Sequence, residues 1–330
     1  MVIKDASVRV SALDDIPFWL ALNERAYSFP LEIVAKALEY LPTMSDLWSA
    51  PEDILVHVGF DKKTISALNK LKASFDLKEY QRLASNLKNN GVEVIKFSDK
   101  SYPRSLLDIQ GSLRPPLLIF AKGQYLNFNN CIAIVGTRNC SFYGRTTARK
   151  LAKKLADKGY TIVSGLARGV DEEAHCGALE SKHGRTLAVL PWLEPIYPEE
   201  HSELMKDIER RGARLSENHT KSFGPLTPGK FVERNRITSG ISKFVIVIET
   251  DVEGGTIRQA ELATAQNKPI FVLRPGDNDR AKRGYGKLIT QFGAIEFSEE
   301  KDLLRKIKEN KLEPEQPLEG FDSPPQLKLS

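Results

Sequence analysis

The chain is poor in cysteine, and the few cysteines it has are scattered. Cys131, Cys140 and Cys176 stand among 330 residues, and no two of them have the C-x-x-C spacing of a metal site. The sequence therefore predicts neither a disulfide framework nor a metal centre. It favours a reducing, cytoplasmic environment.

Long apolar runs and a strong charge imbalance are also missing. No apolar run approaches the roughly 20 residues that a membrane-spanning helix needs. The opening residues, MVIKDASVRVSALDD, are polar and partly acidic, which is not typical of a secretory signal. Lysine and arginine number 48 against 43 aspartates and glutamates. The total charge therefore identifies no partner, and a local concentration of arginine is more informative.

What the chain does contain, from Cys131 onwards, is an alternation of apolar strands and amphipathic helices. The pattern predicts strands at 132–135, 160–163, 186–190, 213–216, 244–248 and 270–273, and helices at 145–158, 171–183, 202–210 and 256–266. This alternation is typical of a doubly wound, mostly parallel sheet in an α/β fold.

Other segments extend this domain at both ends. Residues 1–90 show short helical periods joined by polar turns, which predict a small all-helical domain of helix-hairpin-helix or SAM-like type. Residues 91–300 form the main domain, because two further strands precede Cys131. Residues 301–330 comprise a helical end and a proline-bearing tail that is expected to be disordered. The polar segment 274–286 predicts a flexible loop.

Glycine, hydroxyl and arginine side chains follow two neighbouring strands of this pattern. Because the carboxyl ends of parallel strands meet at one sheet edge, we expect both loops at the ligand edge. Glycine lets backbone amides approach an anion, and arginine binds a phosphate through two parallel hydrogen bonds. The residues are Gly136, Thr137, Arg138, Ser141, Tyr143 and Gly144 in the first loop, and Ser164, Gly165, Arg168 and Gly169 in the second.

Two later segments have similar chemistry. Arg234, Asn235 and Arg236 precede the strand at 244–248, and Gly254, Gly255 and Thr256 follow it and open a helix. The second group predicts a nest of backbone amides for an anion. A plainer explanation stays open for every one of these segments, namely a tight turn or a solvated helix that carries surface arginines.

In their order, these motifs resemble the DprA/Smf family of DNA-processing proteins. The resemblance is carried by Tyr102-Pro103 with Leu106, by AIVGTR at 133–138 with Tyr143-Gly144, by SGLARGVD at 164–171 with Ala174-His175 and Gly177-Ala178-Leu179, by Ile196-Tyr197-Pro198, by Ser216-Glu217, and by RNRI at 234–237 with Ser239-Gly240. It covers roughly residues 95–297. The segment 254–260 departs from the family's Ser-Gly-Ser-Leu-Ile-Thr-Ala-like pattern, and 191–195 lacks the family's glycine.

The resemblance implies an extended Rossmann-like domain that binds and protects single-stranded DNA without turnover. It also implies a role in loading a RecA-type recombinase, as in natural transformation, and a homodimer formed through this domain. No cofactor, metal or membrane is implied. Arg138 and Arg168, with Arg234 and Arg236, would hold phosphates, and a base could stack on an aromatic ring such as Tyr143 or Phe231.

A second hypothesis comes from a class of enzymes with the same broad fold. Gly254 and Gly255 with Glu261 resemble part of the Gly-Gly-x-Gly-Thr-x-x-Glu motif of LOG-like nucleoside-monophosphate phosphoribohydrolases, although Ile257 replaces the third glycine. This hypothesis assigns Arg236 and Glu261 to the cleavage of a glycosidic bond. A third hypothesis is a sensor, in which the same loops hold one small nucleotide.

Overall fold

The computed structural model describes residues 15–109, 114–220 and 228–315. The chain divides into two compact units: the first runs to Tyr102 and includes Arg114–Ile119, and the second holds the rest. The domain boundaries predicted at residues 90 and 300 stay predictions. Most of the tail that is expected to be disordered, residues 316–330, lies outside the described residues.

Short capped helices build most of the first unit. They are α1 (Ile16–Asn23), α2 (Leu31–Tyr40), α3 (Met44–Ser49), α4 (Glu52–His57), α5 (Lys62–Ser74) and α6 (Leu77–Asn89). Thr43, Asp61 and Asp76 each accept a backbone N–H at a helix start, as N-cap residues do. Strand β1 (Val92–Lys96) follows α6. The predicted helical start is confirmed.

A mostly parallel sheet dominates the second unit. Its strands are β2 (Leu118–Gly123), which begins in the first unit, β3 (Cys131–Val135), β4 (Thr161–Ser164), β5 (Arg185–Val189), β6 (Ala213–Ser216), β7 (Val245–Val247), β8 (Ile270–Leu273) and β9 (Ile295–Phe297). They lie in the order β2-β6-β5-β4-β3-β7-β8-β9, with β1 beside β2. All neighbours from β6 to β9 are parallel, and β2 runs antiparallel to β6. The predicted α/β fold is confirmed.

Helices cover both faces of this sheet, as a parallel sheet requires. They are α7 (Phe142–Asp157), α8 (Val170–Glu180), α9 (Ser202–Arg211), α10 (Pro228–Gly240), α11 (Gly255–Ala265), α12 (Asp279–Phe292) and α13 (Glu300–Glu309). One apolar cluster packs Ile132 and Ile134 against Leu151 of α7, and another packs Ala133 and Val135 against Ile257 of α11. No helix of the described residues is long and apolar enough to span a bilayer.

The chain order reverses at β3, and this reversal defines where a ligand can enter. Ala133 of β3 pairs with Val163 of β4 on one side and with Val245 of β7 on the other. The connections after β3 and β7 therefore leave the sheet in opposite directions and open a crevice at its carboxyl edge. The loops with the predicted phosphate-binding residues follow β3, β4 and β7.

The flexible loop predicted at 274–286 is wrong for most of its length, because α12 begins at Asp279. Asn278 caps this helix by accepting the N–H groups of Arg280 and Ala281. Its buried side, which includes Ala281 and Leu288, packs on the sheet. The polar residues of this segment form the outer face of an amphipathic helix.

Gly212, the residue before β6, packs closely against the backbone of β5. A Cβ atom at this position would lie 1.7 Å from the carbonyl oxygen of Thr186 on β5. We therefore expect Gly212→Ala to lower the free energy of unfolding by about 1–3 kcal/mol, the usual cost of overpacking. Denaturant unfolding measures this loss. Gly286→Ala is the control, since nothing lies within 4 Å of its Cβ position, and an equal loss in both variants would contradict the packing argument.

Candidate functional site

Three loops touch one another at the carboxyl edge of the sheet. A Cβ atom at Gly169, after β4, would lie 2.5 Å from the carbonyl oxygen of Arg138, after β3. Thr137 N–H donates to the backbone carbonyl of Glu249, after β7, at 2.8 Å. The sequence predicted that the loops after β3 and β4 would lie together, and the structure places the β7 loop beside them.

The buried carboxylate of Glu249 holds the start of α7. Glu249 is 3% exposed, and it accepts the backbone N–H of Ser141 at 2.8 Å and the Ser141 hydroxyl. The Ser141 oxygen in turn accepts the N–H of Gly144 at 3.0 Å. The groups of Ser141 and Gly144 that were predicted to bind a phosphate are therefore engaged within the chain, and a carboxylate already occupies the positive end of α7.

The loop after β4 has a similar internal arrangement. Asp171 is buried and accepts the N–H groups of Gly165 at 3.1 Å and Ala167 at 3.4 Å. Ser164 donates its hydroxyl to the carbonyl of Ile134. Burial raises the pKa of Asp171, and the neighbouring charge of Arg234 opposes that shift. The backbone amides at this corner are largely satisfied before any ligand arrives.

Arg234 is a buried residue that fills the space above Gly165. It is 7% exposed and donates to the carbonyl of Val189 at 2.9 Å. A Cβ atom at residue 165 would lie 1.8 Å from its Nη1, so only glycine leaves room for the guanidinium group. Burial lowers the pKa of Arg234 to about 10, which leaves it charged at neutral pH.

The next two residues of α10 are also engaged. Arg236 is 5% exposed and binds both carboxylate oxygens of Glu217, at 2.7 and 2.6 Å. Asn235 donates to the carbonyl of Gly255 at 3.3 Å. Helix α10 thus links the ends of β5 and β6 to the start of α11. The phosphate contacts predicted for Arg234, Asn235 and Arg236 stay predictions.

Arg138 and its aromatic neighbours form the exposed part of the edge. The Arg138 guanidinium lies 5.5 Å from the ring centroid of Phe231, in a cation–π arrangement. The Phe231 ring lies 6.1 Å from that of Tyr197, which is 46% exposed. Arg138 is exposed, and within the described ranges no carboxylate forms an ion pair with it. Its charge therefore faces solvent beside aromatic rings.

Arg168 is exposed on the neighbouring loop and is paired. Its Nε and Nη2 atoms donate to the two carboxylate oxygens of Glu200, the second at 2.7 Å. The hydrogen bonds to Glu200 raise the pKa of Arg168. Both side chains are at least half exposed, so solvent screening keeps the pair weak. An incoming phosphate can replace Glu200 at small cost.

The start of α11 is the most open of the predicted anion sites. Gly254 has φ +119°, a conformation that favours glycine. Gly254 and Gly255 are exposed, and nothing lies within 4 Å of either Cβ position. Thr256 is buried in the first turn. The amino end of α11 therefore presents backbone N–H groups and a positive dipole to solvent.

Two basic residues that lie near the start of α11 were not identified from the sequence. Arg283 lies 3.5 Å from Asp251, and Lys287 donates to the carbonyl of Val252 at 3.0 Å. Both belong to α12, in or just after the segment interpreted as a loop. The spacing of Ala281, Leu288 and the intervening polar residues was the signal that could have found them.

The pair assigned to the hydrolase hypothesis is divided between separate ion pairs. Arg236 binds Glu217, whereas Glu261 accepts from Arg258 of its own helix at 2.6 Å. Glu261 and Arg258 are both partly exposed, and this is an ordinary i, i+3 surface pair. No contact of the described residues favours this hypothesis.

Together, the doubly wound sheet and the arginine-bearing edge at its switch point define a Rossmann-like α/β protein. The family model described as DNA recombination-mediator protein A matches residues 93–308. The chain belongs to this family, the DprA/Smf family of DNA-processing proteins, as its motifs predicted.

Relatives support this assignment over most of the chain. The chain is 33% identical over 241 residues to DNA processing protein DprA of Bacillus subtilis, and the aligned region covers 72% of this chain and 78% of that protein. It is 30% identical over 292 residues to protein Smf of Synechocystis, which covers 86% and 70% respectively.

Solved structures of DNA processing protein A have the same fold. The X-ray structure from Streptococcus pneumoniae matches with a TM-score of 0.69 and 26% identity, over 88% of this chain and 97% of that one. The Helicobacter pylori structure, which describes a single-stranded DNA binding mode, matches with a TM-score of 0.57 and 28% identity, over 66% and 96%.

Glu249 should be essential for the stability of this edge. We expect Glu249→Ala to lower the free energy of unfolding by about 1.5–3 kcal/mol or more, because one hydrogen bond to a charged group usually contributes that much. Glu249→Gln should lose less, because its amide oxygen still accepts the Ser141 N–H. Equilibrium unfolding of both variants measures the difference, and equal losses would show that the hydrogen bonds to Ser141 contribute little.

Proposed function

We propose that this protein binds single-stranded DNA along the carboxyl edge of its sheet, without cleaving it. The observation that carries the proposal is the exposed arrangement of Arg138 beside Phe231 and Tyr197. Arginine binds phosphates, and aromatic faces stack on unpaired bases. Membership of a DNA-processing family and the single-stranded DNA binding of the Helicobacter pylori relative support the same function.

The phosphate contacts divide into direct and supporting residues. Arg138, Arg168 and the open amides at Gly254 and Gly255 hold phosphates, because these groups face solvent or have an exposed partner that a phosphate can replace. Thr256 sits in the same first turn of α11. Gly136, Ser141, Gly144, Gly165, Gly169, Arg234 and Arg236 act by holding the loops in place, as their internal contacts indicate.

Base contacts require unpaired bases, which is why we propose a single strand as ligand. Tyr143 is 42% exposed and Phe231 is half-buried beside Arg138. A ring can stack on a base only when the base is unstacked from its neighbour, and this stacking tolerates any sequence. The protein should therefore bind single strands with little sequence preference.

The description of the family as a recombination mediator supports one further step of the proposal, in which the bound strand is passed to a RecA-type recombinase. From the resemblance to the family we also propose that the protein acts as a homodimer. We also propose a cytoplasmic location, which the three free cysteines favour.

Binding to oligo-dT, followed by fluorescence anisotropy, tests the function. We expect Arg138→Ala to weaken binding at least about fivefold near 0.1 M salt and to lower the salt slope by about 0.7, the value for one phosphate contact on a single strand. Arg138→Lys should recover part of the loss, because lysine keeps the charge but not the planar fork. The matched control is Arg305→Ala, an exposed arginine of α13, which should bind normally.

Failure of wild-type protein to bind oligo-dT at low salt would sink the proposal. Competition by a mononucleotide with thermal stabilisation would indicate a sensor instead. Release of a base from that nucleotide, abolished in Glu261→Gln, would indicate the hydrolase.

Removing the partner of Arg168 should strengthen binding. We expect Glu200→Gln to raise the affinity for oligo-dT by up to about fivefold, because a phosphate then reaches Arg168 without breaking this weak exposed pair. Glu203→Gln removes the same charge from the nearby α9, where its partner is Lys206, and should have a smaller effect. Unchanged affinity in Glu200→Gln would contradict the expectation that the pair with Glu200 competes with the strand for Arg168.

A further inference from the structure

Helix α7 carries a concentration of positive charge that the proposed site does not use. Its basic residues, with the C-cap, are Arg145, Arg149, Lys150, Lys153, Lys154 and Lys158, and its one acidic residue is Asp157. The apolar residues of the helix, including Leu151 and Leu155, are buried against the sheet. The basic residues therefore occupy the outer side of the helix, which begins at the proposed site.

Three of these charges are neutralised, and within the described residues those of Lys150, Lys153 and the C-cap Lys158 are not. Arg145 and Arg149 lie 3.6 and 2.7 Å from the nearly buried carboxylate of Glu173, and Lys154 lies 3.6 Å from Glu300. Lys150 and Lys153 are exposed, and across the part of the chain that the structure describes neither has an ion-pair partner. They are three residues apart and therefore neighbours on one helix face.

A large aromatic ring stands at the beginning of the same face. Phe142 is the first residue of α7 and is 84% exposed. At this exposure the ring contributes little to the core, so packing does not account for a phenylalanine at this position. Thr146 lies four residues on, Lys150 eight and Lys153 eleven, and helical spacings of this kind place all four on one side. An exposed ring and two uncompensated lysines thus follow one another away from Ser141.

We propose that this face of α7 is a second segment of the DNA-binding surface. A base stacks on Phe142 where the strand leaves the carboxyl edge, and the following phosphates contact Lys150 and Lys153. This inference rests on the proposed function. From Phe142 to Lys153 the helix rises about 16 Å, which accommodates at most about five phosphates at the duplex spacing of about 3.4 Å.

The chemistry favours a nucleic-acid strand as the occupant. Lysine is a flexible point charge that binds a phosphate backbone without reading the sequence. Phe142 lies one residue from Ser141 and four from Arg138 along the chain, so this helix face begins within a few residues of the proposed site. A strand has both the repeated negative charge and the flat bases that this combination binds.

The test compares two oligo-dT lengths on the full chain. The shorter has about 4 nucleotides and fills the carboxyl edge alone, and the longer has about 16 and also reaches α7. These lengths are the two limits of typical single-strand site sizes. We expect Lys150→Gln with Lys153→Gln to weaken the longer oligomer roughly 25-fold at about 0.1 M salt and to lower its salt slope by about 1.4, the value for two contacts. The shorter oligomer should bind as to wild type.

The control is Lys206→Gln with Arg210→Gln on α9. This variant loses the same charge, but each residue has an acidic partner, Glu203 or Asp207, and we expect no change for either oligomer. An equal effect of the α7 and α9 variants, or no effect of the α7 variant on the longer oligomer, would overturn the inference while leaving the proposed function intact. Absence of wild-type binding to both oligomers would instead overturn the proposed function.

Phe142 is tested separately. We expect Phe142→Ala to weaken the longer oligomer at least about fivefold, the lower end of the range for one base stacked on an aromatic ring, and Phe142→Trp to restore binding. Because the ring is exposed, neither variant should change the melting temperature. Normal binding by Phe142→Ala would remove this residue from the surface.

Discussion

A buried negative charge at the end of β7 determines how the carboxyl edge is built. Glu249 accepts two hydrogen bonds from Ser141, and its backbone carbonyl accepts the N–H of Thr137. These contacts join the β3 and β7 loops across the point where the strand order reverses. They also place a carboxylate at the positive end of α7, so an external anion gains little there. Among the predicted phosphate-binding groups, Arg138 and the amino end of α11 are the ones that stay open to solvent.

The same principle extends to the neighbouring loops. Asp171 satisfies the amides of the β4 loop, and Glu217 pairs with Arg236. Each buried charge has a partner or several hydrogen bonds, as burial in a low-dielectric interior requires. The consequence is a rigid edge whose internal charges are satisfied before a ligand arrives. Among the predicted phosphate-binding arginines, Arg138 and Arg168 are the exposed ones, and the proposed function assigns the phosphate contacts to them for that reason.

The sequence predicted the sheet and the position of its loops because both depend on short-range patterns. Alternating strands and helices, with glycine at the turns, place the residues after β3, β4 and β7 at one edge by topology alone. Burial and pairing depend on long-range contacts, and the sequence could not supply them. Nothing near Arg234 indicates that Gly165, far along the chain, leaves space for its guanidinium group. The helix α12 was missed because its polar face and its glycines outweigh a narrow apolar stripe.

The distribution of exposed groups favours a long anion over a small one. Arg138, the paired Arg168 and the amino end of α11 lie on different loops, and each offers only a modest interaction with one phosphate. A mononucleotide can engage few of these groups at once. A strand engages them in succession, and after the first contact each further contact is intramolecular, with a high effective concentration. In the proposed function, affinity then comes from the number of weak contacts.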